Sequence, residues 1–456
     1  MCGVVGVYCE NEDLTSKIAF FSLYSLQHRG QESAGISVFG DYIHIHKGMG
    51  LVNEIFDSRK LDGMKGKIAV GHVRYSTTGE SRVENAQPLL VKTRQGAMAI
   101  AHNGNLVNYG SLRRALEREG SVFVSDSDTE VIAKLMAKEM ISNDPVNAIV
   151  NLSGQIKGSY TLVFAFNDLL VGFRDSHGFK PLILGEGDFG YIIASESCAL
   201  DAVGAEIVRD VKPGEAVIVK DGGIEFIKIE EFDRSSLCVF EYIYFARPDS
   251  VIDGVSVYDV RQRIGRILAR ESPVEADIVS PVPDSGTTSA IGFSKESGME
   301  YLEALIKNRY VGRTFILPGQ SVRELSVKIK MNAISKNVEG KRVVLIDDSI
   351  VRGTTSRKIV DMVRNAGAKE VHFRVGSPPI ISPCYFGIDM STRDELIASS
   401  KTVEEIRKEI NADSLAYLSL DGLIEAVGKK KEDLCLACLT ARYPVDVSEA
   451  MQCRSC

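Results

Sequence analysis

The sequence predicts an α+β domain over residues 1–235 joined to an α/β domain over residues 236–456, the first built on antiparallel sheets and the second on a parallel sheet. Three observations carry this expectation. At 456 residues the chain is longer than one ordinary hydrophobic core serves. Up to about residue 230, short strand-like segments crowd together between Gly and Asp breaks. Beyond about Phe240, strands and helices alternate instead.

In the first part Gly35–Phe39, Lys67–Gly71, Tyr160–Phe166 and Gly214–Val219 are dense in apolar and β-branched residues. Two helical stretches interrupt them, around Ser111–Glu119 and Asp128–Met140. Many strands with few helices suggest sheets inside and helices on the outer faces. In the second part Ala276–Ser280 leads through a Gly/Thr turn into a helix ending near Gly298, then to strand-like Tyr301–Ile306. Val343–Ile346 leads likewise into a helix ending at Gly367 and on to Glu370–Val375. The boundary falls near Arg234–Leu237. Gly185-Glu186-Gly187-Asp188-Phe189-Gly190 matches the dinucleotide fingerprint, but it runs into strand-like Tyr191–Ala194, so a hairpin turn explains it. His44 and His46 alternate on one strand as surface or packing residues, and Lys429–Lys431 reads as a solvated helix end.

A formal charge of −7 argues against a nucleic-acid partner. No apolar run approaches the ~20 residues of a membrane helix, and Met1–Gly6 has no basic stretch of a secretory signal. The expectation is a cytoplasmic protein with small-molecule substrates. Nine cysteines, an odd number spread over a long chain, suit catalysis or metal binding better than a disulfide framework.

Cys2 becomes the first residue once Met1 is removed. Its thiol then lies beside an α-amine of pKa about 7.7–8.0, a usable base near neutrality. His72–Gly79 contributes the Arg74 guanidinium, suited to a carboxylate. Ala101–Leu106 contributes the Asn103 amide beside the Gly104 N–H, two donors for a developing oxyanion. Ser125–Glu130 contributes Asp128, an anion for an ammonium. A thiol, an oxyanion hole and clamps of both signs describe a site for an α-amino acid amide.

With Gln27–Gly35 added, these five motifs resemble, in order, the N-terminal-nucleophile glutamine amidotransferases. The resemblance implies an αββα sandwich. It assigns Cys2 as nucleophile, its amine as base, Arg74 and Asp128 to glutamine, and Asn103 with Gly104 to the oxyanion hole. His28 and His102 are read as residues that orient loops by hydrogen bonds.

The most informative stretch is Val343–Ser356. Four apolar strand residues deliver Asp347 and Asp348 to the carboxyl edge of a parallel sheet. The Arg352-Gly353-Thr354-Thr355-Ser356 turn then enters a helix striped by Ile359, Met362, Val363 and Ala366. Backbone N–H groups and hydroxyls at a helix start suit a 5′-phosphate; two carboxylates above it suit ribose hydroxyls and Mg²⁺. The run resembles the phosphoribosyl-pyrophosphate (PRPP) signature of type I phosphoribosyltransferases. Ser285, in the Pro283–Thr288 turn, would ligate the Mg²⁺ with Asp347 and Asp348. Lys307, in a basic loop running to Ile316, and Lys328, in Val327–Asn332, would add cations.

With Ser377–Ile380 and Phe386–Thr392, the whole chain resembles the amidophosphoribosyltransferases. That implies ammonia from glutamine passing internally to PRPP, purine-nucleotide feedback and a homotetramer. Cys238, Cys384, Cys435 and Cys438 match the iron-sulfur ligands of one branch of the family. Four thiolates suit a four-iron cluster or tetrahedral zinc alike, and the resemblance favours the cluster. Cys453 and Cys456 can replace Cys435 and Cys438 or form a separate tail. Cys9 and Cys198 are expected in packing.

Overall fold

The structure is a computed structural model that describes residues 1–75, 80–230, 234–308, 331–390 and 392–453, the last without its side chain. Among the described residues the first half holds two antiparallel sheets, of seven and six strands. Gly3–Cys9 lies inside the first sheet, paired antiparallel with Ile68–Arg74 on one side and Gly190–Ala194 on the other. Its side chains alternate as a strand dictates. Val4 and Tyr8 pack with Ala99, Val163 and Leu170 of the second sheet, while Val5, Val7 and Cys9 pack with Ile18, Ala19 and Leu23 of the helix Thr15–Ser25. Gly6 faces the second sheet, where a Cβ would lie 2.7 Å from Val163 Cγ1.

The far side of the second sheet is covered by helices Asp128–Glu139 and Pro145–Ser153, through Ile132, Met136, Ile149 and Leu152. The layering is therefore αββα, as expected. Helices Thr15–Ser25 and Pro145–Ser153 were not anticipated. Thr15–Ser25 carries Phe20, Phe21 and Tyr24 with no clean polar stripe, and Pro145–Ser153 is short, started by the Asp144 cap and a proline in its first turn. Ile183–Gly187 and Gly190–Ala194 form the expected hairpin, with Gly187 opposite Gly190.

In the second half five parallel strands run in the order Glu300–Tyr301, Ile278–Pro281, Arg342–Asp347, Glu370–Val375, Ser414–Tyr417. Val279, Val344 and Ile346 pack against helices Val257–Glu271 and Thr287–Ser297; Val343 and Leu345 pack on the other face with Ile359, Val360 and Val363 of Thr354–Asn365. Coverage on both faces explains the unbroken apolar strands. Tyr301–Ile306 is not one strand. Ser280 Oγ accepts the Ala304 N–H at 2.8 Å, the ladder stops, and Leu305–Lys307 pairs instead with Met331–Ala333.

The halves interlock. The Ser236 and Cys238 N–H groups donate to His177 and Phe179 carbonyls, and Arg174 grips Asp253 with two bonds of 2.8 and 3.0 Å. Asn105 Nδ2 donates to Tyr385 O at 3.0 Å, and a Cβ on Gly387 would lie 3.0 Å from Gly104 O. The second half thus lies directly against the end of the strand Gly96–Leu106, which is expected to carry the oxyanion hole. Among the described residues no helix is long and apolar enough to cross a membrane.

Candidate active sites

Cys2 opens the central strand of the first sheet, buried where the second sheet delivers Asn103. Its backbone nitrogen donates to Asn103 Oδ1 at 3.1 Å, and its Sγ lies 3.6 Å from Tyr75 O. Met1 precedes it, 1 % exposed, with Lys180 Nζ 3.0 Å from its Sδ. Burial lowers the Met1 amine to about 5. In a processed chain the Cys2 nitrogen is the α-amine, and Asn103 is already its partner. Among the described residues Asn103 Nδ2 is buried with no hydrogen-bond partner. Gly104 follows at φ +155°, where a Cβ would meet Ser159 O at 2.0 Å, so no other residue fits.

Asp128 begins its helix behind the Ser127 cap and accepts the Leu106 N–H at 3.0 Å. Its other oxygen is 3.5 Å from His102 Nδ1. Burial would raise the Asp128 carboxyl, but the His102 charge and these hydrogen bonds hold it below the usual carboxylate range. Burial would likewise lower His102, and Asp128 raises it instead. Arg74 ends the strand Ile68–Arg74, pairs with Glu32 and donates to Glu80 O at 3.2 Å. Ser76–Gly79 lie outside the described residues.

Sequence reasoning missed the charges behind this site. Arg29 is fully buried: its Nε donates to Cys2 O at 2.9 Å, its two terminal nitrogens reach Glu241 at 2.9 and 2.8 Å, and it pairs also with Glu196. Glu196 further accepts His28 Nε2 at 2.8 Å and Ser250 Oγ at 2.7 Å. Burial notwithstanding, His28 and Arg29 hold the Glu196 carboxyl far below its usual range. The available signal was a charge embedded in apolar neighbours, as in Phe240-Glu241-Tyr242 and Phe179-Lys180-Pro181.

In the second half Asp347 ends its strand at the carboxyl edge, and the Asp348 N–H donates to Asp347 Oδ1 at 3.0 Å. Burial, and for Asp347 the neighbouring charge of Asp348, hold both carboxyls above their usual range. The Ser285 side chain is close enough to lower the Asp348 carboxyl, so the two strand-end turns meet. Gly353, at φ +76°, precedes the helix that Thr354 and Thr355 open to solvent, with Ser356 buried behind them. Arg352 is turned toward Glu395. Lys307 Nζ holds Asp284 at 2.6 Å on the edge of a 530 Å³ cleft lined also by Thr287, Asn308 and Asn332. Lys328 and the basic stretch from Arg309 lie outside the described residues, as does Ser391.

Cys238, Cys384, Cys435 and Cys438 share one buried cluster, all as free thiols. Cys238 is directly opposite Cys435 in a small parallel ladder, and Cys438 follows in the short helix Ala437–Thr440. Burial pushes the Cys238 thiol up to about 11 and raises Cys435 and Cys438 as well. Lys180, fully buried, is raised by the charges of Cys238 and Cys384 despite its burial. Among the described residues no group of three or more His, Cys, Asp or Glu is arranged to hold a single metal ion. The Cys453 side chain and Cys456 lie outside the described residues. Cys9 and Cys198 are packed in the first core, as expected.

Comparison with known proteins identifies a domain family in each half. The glutamine amidotransferase domain family matches residues 72–202, and the phosphoribosyl transferase domain family matches residues 278–375. The amidophosphoribosyltransferase of Archaeoglobus fulgidus is 60% identical over 99% of this chain and 100% of its own length. That of Methanocaldococcus jannaschii is 54% identical over 98% of each. Among solved structures, the Bacillus subtilis glutamine PRPP amidotransferase complexed with ADP and GMP superposes with a TM-score of 0.92, at 48% identity over 98% of both chains.

Proposed function

The chain belongs to the amidophosphoribosyltransferase family, the purine-biosynthesis enzymes that join a glutamine amidotransferase domain to a phosphoribosyltransferase domain, and on that premise we propose how its residues divide the work. The Cys2 thiol loses its proton to the α-amine bared by removal of Met1 and attacks the glutamine amide carbon. A thioester forms as the amine returns that proton to the departing ammonia, and water then hydrolyses the thioester, releasing glutamate and the free thiol. Asn103 Nδ2 and the Gly104 N–H stabilise the oxyanion. Asp128 holds the substrate ammonium and Arg74 its carboxylate; Arg74 would exchange Glu32 for that carboxylate.

Ammonia then displaces pyrophosphate from the anomeric carbon of PRPP, giving 5-phosphoribosylamine. Gly353, Thr354, Thr355 and Ser356 cradle the 5′-phosphate, Arg352 and Lys307 face the phosphates, and Asp347 and Asp348 hold the ribose edge. Asp347, Asp348 and Ser285 fit Mg²⁺: two buried carboxyls resisting ionisation, with a hydroxyl in reach, are a pair that a divalent cation relieves. When bound, Mg²⁺ neutralises charge developing on the departing pyrophosphate. Lys328 is proposed to add charge there.

Four buried thiols beside the buried Lys180 cation support a four-iron cluster at Cys238, Cys384, Cys435 and Cys438. We further propose purine-nucleotide feedback, in line with the ADP and GMP bound to the Bacillus subtilis relative, a homotetramer, and a cytoplasmic location.

The unpartnered Asn103 Nδ2 beside the Cys2 nitrogen carries the glutaminase assignment. Cys2→Ala tests it: glutamine-dependent synthesis should vanish while ammonia-dependent synthesis persists. Retained glutamine use would overturn it. Iron, sulfide and zinc analysis after anaerobic purification tests the cluster, and zinc in place of iron would overturn that.

A further inference from the structure

We infer that Glu241, a residue of the phosphoribosyltransferase half, positions the Cys2 nucleophile through Arg29; the inference rests on the reading of Cys2 as the nucleophile. Arg29 is 1 % exposed, and each of its three guanidinium nitrogens has a partner. Nε reaches Cys2 O at 2.9 Å, and both terminal nitrogens close a two-bond fork on Glu241 at 2.9 and 2.8 Å. A fork fixes the plane of the guanidinium, which a single ion pair does not. With the plane fixed, the direction of Nε–H is fixed, and with it the Cys2 carbonyl. The strand beyond is held by a separate pair of bonds, Val4 N to Ser195 Oγ at 3.0 Å and Ser195 N to Val4 O at 3.1 Å. Cys2 is therefore clamped on its carbonyl side by Arg29 and on its nitrogen by Asn103.

Glu241 itself is not free to drift. It is 0 % exposed and begins the π-helical turn Glu241–Phe245, a rare conformation that frequently occurs at functional sites. Arg261 grips that turn at two carbonyls, Nε to Tyr242 O and Nη2 to Ala246 O, both at 2.8 Å. The positive charge of Arg261 in turn acts on Asp348 of the PRPP site. Glu196 stands against Arg29 from within the glutaminase half and shares its charge with His28. Removing the Glu241 charge alone thus leaves Arg29 neutralised by Glu196 but without its carboxylate fork, which separates orientation from charge burial.

The test uses the full-length enzyme with Glu241→Gln and Glu241→Asp. A misplaced nucleophile loses the chemical step and not binding, so Glu241→Gln should lower glutaminase kcat by about 10-fold or more with KM for glutamine within about twofold. Ammonia-dependent synthesis, which bypasses Cys2, should stay within about twofold. The rate of Cys2 alkylation by iodoacetamide should fall in parallel with kcat. Glu241→Asp keeps the fork on a shorter arm and should restore part of the loss. Unchanged glutaminase kcat in Glu241→Gln overturns the inference, and so does an equal loss of both activities. Cys2→Ala assayed alongside keeps the two readings apart: if that variant still uses glutamine, the nucleophile assignment fails whatever Glu241→Gln does.

Discussion

Asn103 turns the two ends of one side chain toward two tasks at Cys2: Oδ1 accepts the Cys2 nitrogen at 3.1 Å, and Nδ2 is buried with nothing among the described residues to donate to. A buried amide donor without a partner costs about 1–3 kcal/mol. The fold tolerates that cost where a substrate oxygen will collect the bond.

Asn103→Ala should therefore be nearly neutral for folding and severe for glutamine hydrolysis. Loss of one oxyanion donor costs about 10²–10³ in kcat. Glutamate release at saturating glutamine measures the loss, and ammonia-dependent synthesis measures whether the second site is intact. A loss shared by both activities would contradict the role.

Asp128 and His102 give the glutamine site a pH dependence. Asp128 is held below its ordinary pKa, so its stabilising charge is fully present above about pH 3.9 and is lost as pH falls through the lower folded value. His102 is raised, so its contribution is present below about pH 6.5 and is lost as pH rises through the higher folded value. While His102 is charged it offsets Asp128 and competes with the ammonium of glutamine. KM for glutamine should fall as pH rises through the region above 6.5. His102→Gln should flatten that dependence with kcat little changed. A wild-type KM that does not move with pH, or a His102→Gln profile matching the wild type, would refute it.

How much of this was legible in sequence follows from what each residue needs around it. Val343–Asp348 was readable because four buried strand residues followed by two acids at a sheet edge leave one placement, and the structure has that placement. Asp128 was readable as the first residue after a Ser cap. The outer helix Thr15–Ser25 was not, because its aromatic residues are spread around its surface. Arg29 and Glu241 lie 212 positions apart, and nothing local to either names its partner. A buried charge announces that it has a counter-ion but not which one. The fork between them is a property of the folded chain.

Asp347→Asn separates what Asp347 does for folding from what it does for PRPP. Both carboxyls of the pair are raised by burial, Asp347 also by the charge of Asp348. A raised acid stabilises the fold below its unfolded pKa of about 3.9 and loses that contribution as pH rises through the folded value. The metal-free enzyme should thus soften as pH climbs through that window, and Mg²⁺ should restore it. Asp347→Asn removes the repulsion, so the metal-free melting temperature near neutral pH should rise, by about 2–4 °C for each kcal/mol relieved. The Mg²⁺-dependent gain should shrink, and both glutamine- and ammonia-dependent synthesis should be lost. Calorimetry with and without Mg²⁺ checks the first two, and normal turnover would refute the assignment.

Gly265 and Gly292 set the distance between the helix Val257–Glu271 and the helix Thr287–Ser297 that follows the Ser285 turn, and altering that distance should reach the PRPP site. A Cβ on Gly265 would lie 1.9 Å from Ser289 O, and one on Gly292 would lie 2.1 Å from Gln262 O. Backbone meets backbone there, so no side chain can swing aside. In an isolated helix Gly→Ala gains up to about 1 kcal/mol from propensity. Here Gly265→Ala must push Val257–Glu271 away from Thr287–Ser297, and such overpacking costs about 1–3 kcal/mol. The net effect should be a lower melting temperature. Thr287–Ser297, the helix it is forced away from, begins two residues after Ser285, which acts on Asp348, so KM for PRPP should rise as well. Gly298→Ala is the control: it meets nothing within 4 Å, and its penalty comes only from φ +74°. That variant should melt lower yet keep the wild-type KM for PRPP. If both variants raise KM alike, the separation of Ser285 from Asp348 is not governed by the helix contact.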